Sequence, residues 1–272
     1  MSKRVALDGK VAVVTGAASG IGRALAGSLA RRGCRLALVD IQEEGLRETV
    51  EGLPADAVAS RRVADVSDPA AVAELPAWVL ADHGGVDIVV NNAGVALGGT
   101  FEKIDPTDFE WLFAINFGGV VRMTRAFLPD LKQRPEGWIV NMSSIFGLVA
   151  PPGQTAYAAS KFAVRGFSES LRHELRETNV RVCVVHPGGV ATSIAVNARI
   201  PKDADEQAVA EGRKTMQSVL KMPPDKAAEA IVKGIEARKP RILVGRDARF
   251  GAWLERLFPT THWNLIEKTA MR

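Results

Sequence analysis

Short apolar runs alternate with longer stretches in which apolar positions recur at helical spacing, from residue 11 to residue 244. Val11–Val14, Arg35–Val39, Ala57–Ala64, Val86–Val90, Trp138–Met142, Val180–Val185 and Arg241–Val244 read as strands. Nearly continuous apolar runs of this length suit strands covered on both faces. Ile21–Arg32, Gln42–Gly52, a segment from Asp68-Pro69 to His83, Thr107–Leu131, Ala156–Thr178 and the stretch from Pro223-Pro224 to Ala237 read as helices. Asp68 is placed to cap its helix with Pro69 in the first turn, and Pro76 predicts a kink. Asn116, followed by Phe117-Gly118-Gly119, predicts a local distortion inside Thr107–Leu131. Strict alternation of strand and helix predicts one α/β domain, doubly wound, with a mostly or wholly parallel seven-stranded sheet flanked by helices on both faces.

Composition changes this picture little. At 272 residues and 47% hydrophobic, the chain can bury one large core. Cys34 and Cys183 fall inside predicted strands and read as small buried hydrophobes; no disulfide framework or zinc spacing exists, and no metal is expected. The start, MSKRVALDGK, lacks a signal-like apolar run, and no stretch reaches the ~18 apolar residues of a membrane span, so a soluble cytoplasmic protein is predicted.

Charge is uneven. The net charge is +4, but Arg238–Arg272 carries eight basic against three acidic side chains, leaving −1 for the rest. Phe250, Trp253, Phe258 and Trp263 lie in this tail, so nucleic acid has to be weighed. Phe250, Trp253, Leu254, Leu257 and Phe258 follow helical spacing, however, which predicts an apolar face packed on protein or in an oligomer. An acidic substrate or a membrane surface is the lesser alternative.

Candidate chemistry gathers at the ends of the strands. After the first comes Thr15-Gly16-Ala17-Ala18-Ser19-Gly20-Ile21-Gly22. Glycines there allow a tight turn and close approach to a pyrophosphate, which then sits on the positive end of the next helix. The spacing is G-x-x-x-G-x-G rather than G-x-G-x-x-G, but it lies between strand and helix, with Asp40 about twenty residues on. Gly16, Ser19, Gly20, Ile21 and Gly22 are therefore candidate cofactor ligands. Asp40 can accept hydrogen bonds from both adenosine ribose hydroxyls and repels a 2′-phosphate, and none of Ala18, Ser19 and Ile41 is basic; NAD is predicted over NADP. Asp65, Asn91, Ser143, Ser144 and Pro187 end later strands, on the edge where such sheets bind ligands.

Tyr157, the only tyrosine, stands four residues before Lys161 and thirteen after Ser144. On a helix the first two share a face, ~6 Å apart along the axis. A free phenol titrates near ~10, and a neighbouring cation favours the phenolate, so Tyr157 is predicted to titrate well below a model tyrosine. A serine hydroxyl beside it would complete a pocket for an alcohol or carbonyl oxygen, which is acid–base chemistry suited to hydride transfer.

The Thr15–Gly22 turn, Asn91-Asn92-Ala93-Gly94, Asn116, Ser144, Tyr157-Ala158-Ala159-Ser160-Lys161 and Pro187-Gly188 stand in the order and spacing of a known family. Over most of its length the chain resembles the classical short-chain dehydrogenase/reductases. The resemblance implies a Rossmann-type fold and an NAD(P)-linked oxidoreductase acting on CH–OH groups. It implies Asp65 and Val66 at the adenine, and Asn92, Ala93 and Gly94 along the adenosine side, with Asn91 read equally as structural. Lys161 would bind the nicotinamide ribose, and Pro187, Gly188, Val190 and Thr192 would grip the carboxamide. Tyr157 would exchange the substrate proton, Ser144 hold the substrate oxygen, and Asn116 order a water linked to Lys161. Ser143 competes for the Ser144 role, but the thirteen-residue offset favours Ser144; His186 reads as a strand-end filler. A lid at about 192–221, an interface on the two long helices and a homotetramer or homodimer are further implications. A basic, aromatic extension at about 247–272 follows the family-like part.

Val95, Ala96, Leu97, Ile145, Phe146, Pro151, Pro152 and Ile194 are expected to line the cleft, so a hydrophobic secondary alcohol or ketone is the expected substrate. An NADPH-dependent carbonyl or 3-oxoacyl reductase is the alternative enzyme. A non-catalytic NAD-sensing or scaffold protein is the alternative from another class, against which the intact Asn116, Ser144, Tyr157 and Lys161 argue.

Overall fold

The computed structural model describes residues 4–201 and 204–270. Strands β1 (Val11–Thr15), β2 (Arg35–Asp40), β3 (Ala59–Val63), β4 (Ile88–Asn91), β5 (Gly137–Met142), β6 (Val180–Pro187) and β7 (Arg241–Val244) form one parallel sheet in the order β3-β2-β1-β4-β5-β6-β7. The chain winds outward from β1 in one direction to β3, then returns to β4 on its other side. That reversal opens a crevice at the carboxyl ends of β1 and β4.

Alternate strand residues feed two cores. Ala12, Val14, Leu36, Leu38, Ile88 and Val90 pack under α1 (Gly20–Ala30) and α8 (Pro224–Glu236). Val11, Val13, Val39, Val89 and Ile139 pack under α3 (Pro69–His83) and α5 (Val120–Lys132), with Leu171 of α6 (Thr155–Glu174). Because both faces are covered, the central strands are buried along their length, as the unbroken apolar runs predict. The edge strand β3 differs. It is polar, and Arg61 and Arg62 pair with Glu43 of α2 (Glu43–Glu51) and Glu74 of α3. Charge on an edge discourages pairing with another chain.

Helix starts follow the local signals. Asp68 accepts from Ala70 N at 2.8 Å, with Pro69 in the first turn, and α3 runs through Pro76. Asp105 caps α4 (Pro106–Phe113) the same way. The stretch Thr107–Leu131 is not one α-helix: a π-helical turn, Ala114–Gly119, separates α4 from α5, as the asparagine and the glycine pair predict. In the expected lid segment, α7 covers Glu206–Val219.

Within the single chain, most of the tail's expected apolar face is uncovered. The tail forms α9 (Arg246–Leu257) and α10 (His262–Ala270), but of the five apolar residues expected on a packed face only Leu254 is buried. Phe250 (50% exposed) and Trp253 (54%) stack on each other on the open side, and Leu257 and Phe258 are exposed too. Small residues make the buried contact instead. Ala248 is buried, and Gly251 lies against Ile145 and Val149.

Candidate active site

At the crevice, Gly16 (φ +66°) turns the chain after β1, and any Cβ there would lie 2.8 Å from Ala93 Cα. A Cβ on Gly22 would come within 1.9 Å of Gly16 O, so the turn closes only with hydrogen at both positions. Ser19, extended at the N-cap of α1, makes no side-chain cap, so the amides of this helix start are left to bind an anion. Asp40 is pinned by two backbone amides, Ala18 N on Oδ2 and Gln42 N on Oδ1, each at 3.0 Å. Arg23, which reaches the same Ala18, spends its guanidinium on Ala18 O, Gly45 O and Glu48. This cradle fits a nicotinamide dinucleotide.

The Asn92-Ala93-Gly94 segment belongs to the same cradle. Asn92 Nδ2 donates to Thr15 O at 2.9 Å and to Gly16 O at 3.2 Å, and Thr15 Oγ1 accepts from the amides of Asn92 and Ala93. Thr15, absent from the predicted site, is thus its brace; its one signal was its place at a strand end. Asn91 is structural, donating to Asn141 Oδ1 at 2.8 Å and Thr124 Oγ1 at 3.2 Å across the core. Asp65 is exposed and closes a turn by accepting from Ser67 N, while Val66 is buried against Gly119. Beyond β6, Thr192 reaches Gly20, where its Cγ2 lies 3.1 Å from a would-be Cβ, and Val190 is buried and bridges to Met222.

Ser144, Tyr157, Lys161 and Asn116 converge from three elements: the turn after β5, α6 and the π-helical turn. The Ser144 hydroxyl accepts from Phe146 N at 3.1 Å and stands close enough to the Tyr157 phenol to oppose the rise that burial imposes on it. Ser143 cannot share that task, since its hydroxyl donates to Lys161 O at 2.8 Å. Asn116, on the π-helical turn, clamps Val95 in both directions, accepting from its N at 2.8 Å and donating to its O at 2.9 Å. Its amide also donates to Ser160 Oγ at 3.2 Å. The side chain is therefore committed to protein groups, and any water ordered by this turn must use its backbone. The wider coil of a π-turn makes that possible, because it changes which carbonyls are paired.

Two expectations are corrected. Lys161 is buried, donates to Met142 O at 3.1 Å and lies 5.6 Å from the centroid of the Tyr157 ring. Burial brings the lysine down to about 8. Burial likewise raises the Tyr157 pKa, with the Ser144 hydroxyl opposing it, so among the groups of this chain the phenol is not lowered. Leu97, expected in the cleft, is 1% exposed and belongs to a small core with Ile104, Leu112 and Ala156. Val95, Phe146, Tyr157 and Ile194 are half-buried at the crevice, with Phe146 edge-on to Tyr157 at 6.2 Å.

His186 proves more than filler. It is fully buried, and its Nδ1 donates to Ser144 O at 2.9 Å, fixing the backbone that carries the candidate hydroxyl.

This arrangement has known counterparts. Residues 10–203 match the short chain dehydrogenase family. A provisionally named oxidoreductase of Mycobacterium tuberculosis, SadH, is 42% identical over 267 residues, covering 95% of this chain and 94% of that protein. Oxidoreductase UcpA of Escherichia coli is 41% identical over 211 residues, 75% of this chain and 78% of its own. A short-chain dehydrogenase/reductase from Burkholderia phymatum, solved in complex with NAD, superposes with a TM-score of 0.85 at 33% identity, covering 93% and 94% of the two chains. The chain belongs to the short-chain dehydrogenase/reductase family, and it is an oxidoreductase.

Proposed function

We propose that the protein interconverts a hydrophobic secondary alcohol and its ketone with NAD, using Tyr157 as the proton-exchanging group. The observation that carries this reading is Tyr157 beside the Lys161 amine, which lies 5.6 Å from the ring centroid and 3.4 Å from where a Cβ on Gly94 of the cradle would stand. The pyrophosphate would lie on the Gly16–Gly22 turn and the start of α1, the adenosine ribose against Asp40, and the adenine near Asp65 and Val66. Lys161 would bind the far ribose, and Pro187, Gly188, Val190 and Thr192 the carboxamide. A nicotinamide held there accepts or supplies the hydride.

The chain's own part is proton management and orientation. The Ser144 hydroxyl orients the substrate oxygen against the phenol, and Tyr157 gives a proton to a ketone oxygen or takes one from an alcohol. Because burial raises the phenol, Tyr157 is protonated at neutral pH, the form that donates in reduction. Buried Lys161, lowered to about 8, is mostly charged at neutral pH and adds positive potential beside the ring. Asp40 supports NAD over NADP, because its fixed carboxylate would face a 2′-phosphate. Half-buried Val95, Phe146 and Ile194 support an apolar substrate.

The deciding experiment follows nicotinamide absorbance or fluorescence with an alcohol and ketone panel, using both cofactors. NAD-linked turnover of apolar secondary alcohols, lost in Tyr157→Phe, is expected; turnover retained by that variant would end this reading. We also propose a homotetramer joined through α5 and α6, whose open side includes Phe162 (37% exposed), and a cytoplasmic location. Light scattering would show a monomer if the assembly is wrong. Among the described residues no helix is long and apolar enough to cross a membrane.

A further inference from the structure

The loop after β6 is held by a residue far along the chain. Gly189 N donates to Asp247 Oδ2 at 2.5 Å, across 58 positions of sequence. Glycine backbone surrounds this carboxylate: a Cβ on Gly188 would lie 2.1 Å from either oxygen, and one on Gly245 would lie 2.3 Å from Oδ1. Side chains at those positions would drive Asp247 away. The peptide on the other side of Gly189 is held as well, since Gly189 O accepts from Lys221 N at 3.1 Å and Met222 N at 3.0 Å. Val190 N closes back on Gly188 O at 2.9 Å. Asp247 lies outside the family-matched residues 10–203, in the first turn of α9, whose Gly251 touches Ile145 on the substrate side.

We propose that Asp247 is a positioning residue that presets the Gly188-Gly189-Val190 peptides for the nicotinamide half of the cofactor. The inference rests on the reading of Pro187–Thr192 as the carboxamide grip. A loop in which Gly189 is fixed at both N–H and C=O offers its remaining peptide groups already aimed, and binding then costs less ordering entropy. Asp247 need not touch the cofactor. It acts through the Gly189 amide.

Calorimetric titration with NAD and with ADP-ribose, which lacks only the nicotinamide, tests this. Asp247→Ala should weaken NAD about tenfold, the scale of one hydrogen bond to a charged group, and leave ADP-ribose within about twofold. Asp247→Asn keeps an oxygen that can accept from Gly189 N and should return NAD binding to within about threefold of the parent. Kinetically, Asp247→Ala should raise KM for NAD more than it lowers kcat. If the alanine chain does not fold, Asp247→Ser takes its place, its side chain too short to reach the amide, with the same expectations. NAD binding unchanged in the short-chain variant, equal losses for NAD and ADP-ribose, or an asparagine variant no better than alanine would each overturn the proposal. Equal affinity of the parent protein for NAD and ADP-ribose would instead overturn the carboxamide reading of the loop, a result independent of position 247.

Discussion

His186 Nδ1 lies 2.9 Å from the carbonyl oxygen of Ser144, and a carbonyl can only accept, so the proton sits on Nδ1. Nε2 is buried and has no hydrogen-bond partner among the described residues. The ring is therefore built to be neutral, and burial lowers it from 6.5 to about 4. In the unfolded chain the same imidazole takes up its proton as pH falls through 6.5, whereas the folded one resists until about 4. Stability should thus be full above the unfolded value and fall across that window, by up to about 3 kcal/mol from this group. Urea unfolding at pH 7 and pH 4.5, compared with His186→Gln, checks it; an identical pH dependence in the variant would show that the slope comes from elsewhere.

Neighbouring serines should behave differently. Ser144→Ala removes the hydroxyl at the phenol and is expected to lower kcat about 10²–10³-fold with the fold intact. Ser143→Ala removes a bond to Lys161 O and is expected to cost about 1 kcal/mol in stability with far less effect on rate. Steady-state kinetics beside thermal melts separates them, and the reverse ranking would reassign the substrate hydroxyl.

The single tyrosine reports on itself. Its phenolate absorbance should emerge above the ordinary phenol value of about 10 in the protein, because burial outweighs the opposing effect of the Ser144 hydroxyl. Alcohol oxidation should accordingly speed up as pH rises into the alkaline range, while ketone reduction is supported at neutral pH. An ultraviolet titration placing the phenol below that value would mean that the neighbouring Lys161 charge outweighs burial.

Asp40 should govern cofactor choice. Asp40→Ala leaves Ala18 N and Gln42 N without their acceptor and removes the charge facing the ribose. kcat/KM with NAD is expected to fall about 10–100-fold while NADP improves, and a competition series with both cofactors reads the ratio. An unchanged ratio would remove Asp40 from the specificity argument.

Much of this was legible in advance. The strands were visible because parallel strands buried on both faces must be apolar throughout, and Pro69 with Asp68 marked a helix start by local geometry alone. The weaker third strand was drawn too long, because an edge strand has only one neighbour to satisfy and carries Arg61 and Arg62. The tail was only half legible for a related reason. Helical spacing shows that Phe250, Trp253 and Leu257 share a face, but not which way that face points, and the small residues Ala248 and Gly251 took the buried side.

The sequence by itself determined the layered architecture, the glycine turn, the acid at the end of β2 and the Ser144, Tyr157 and Lys161 set, because each depends on neighbours along the chain or on spacing within one element. The direction of the Tyr157 pKa, the division of labour between Ser143 and Ser144, the His186 brace and the Asp247 contact were decided only by tertiary structure. Desolvation and hydrogen-bond partnership depend on what other elements bring to a point. Gly189 and Asp247 meet only because β6 and β7 lie side by side, so that the loop leaving one touches the helix leaving the other.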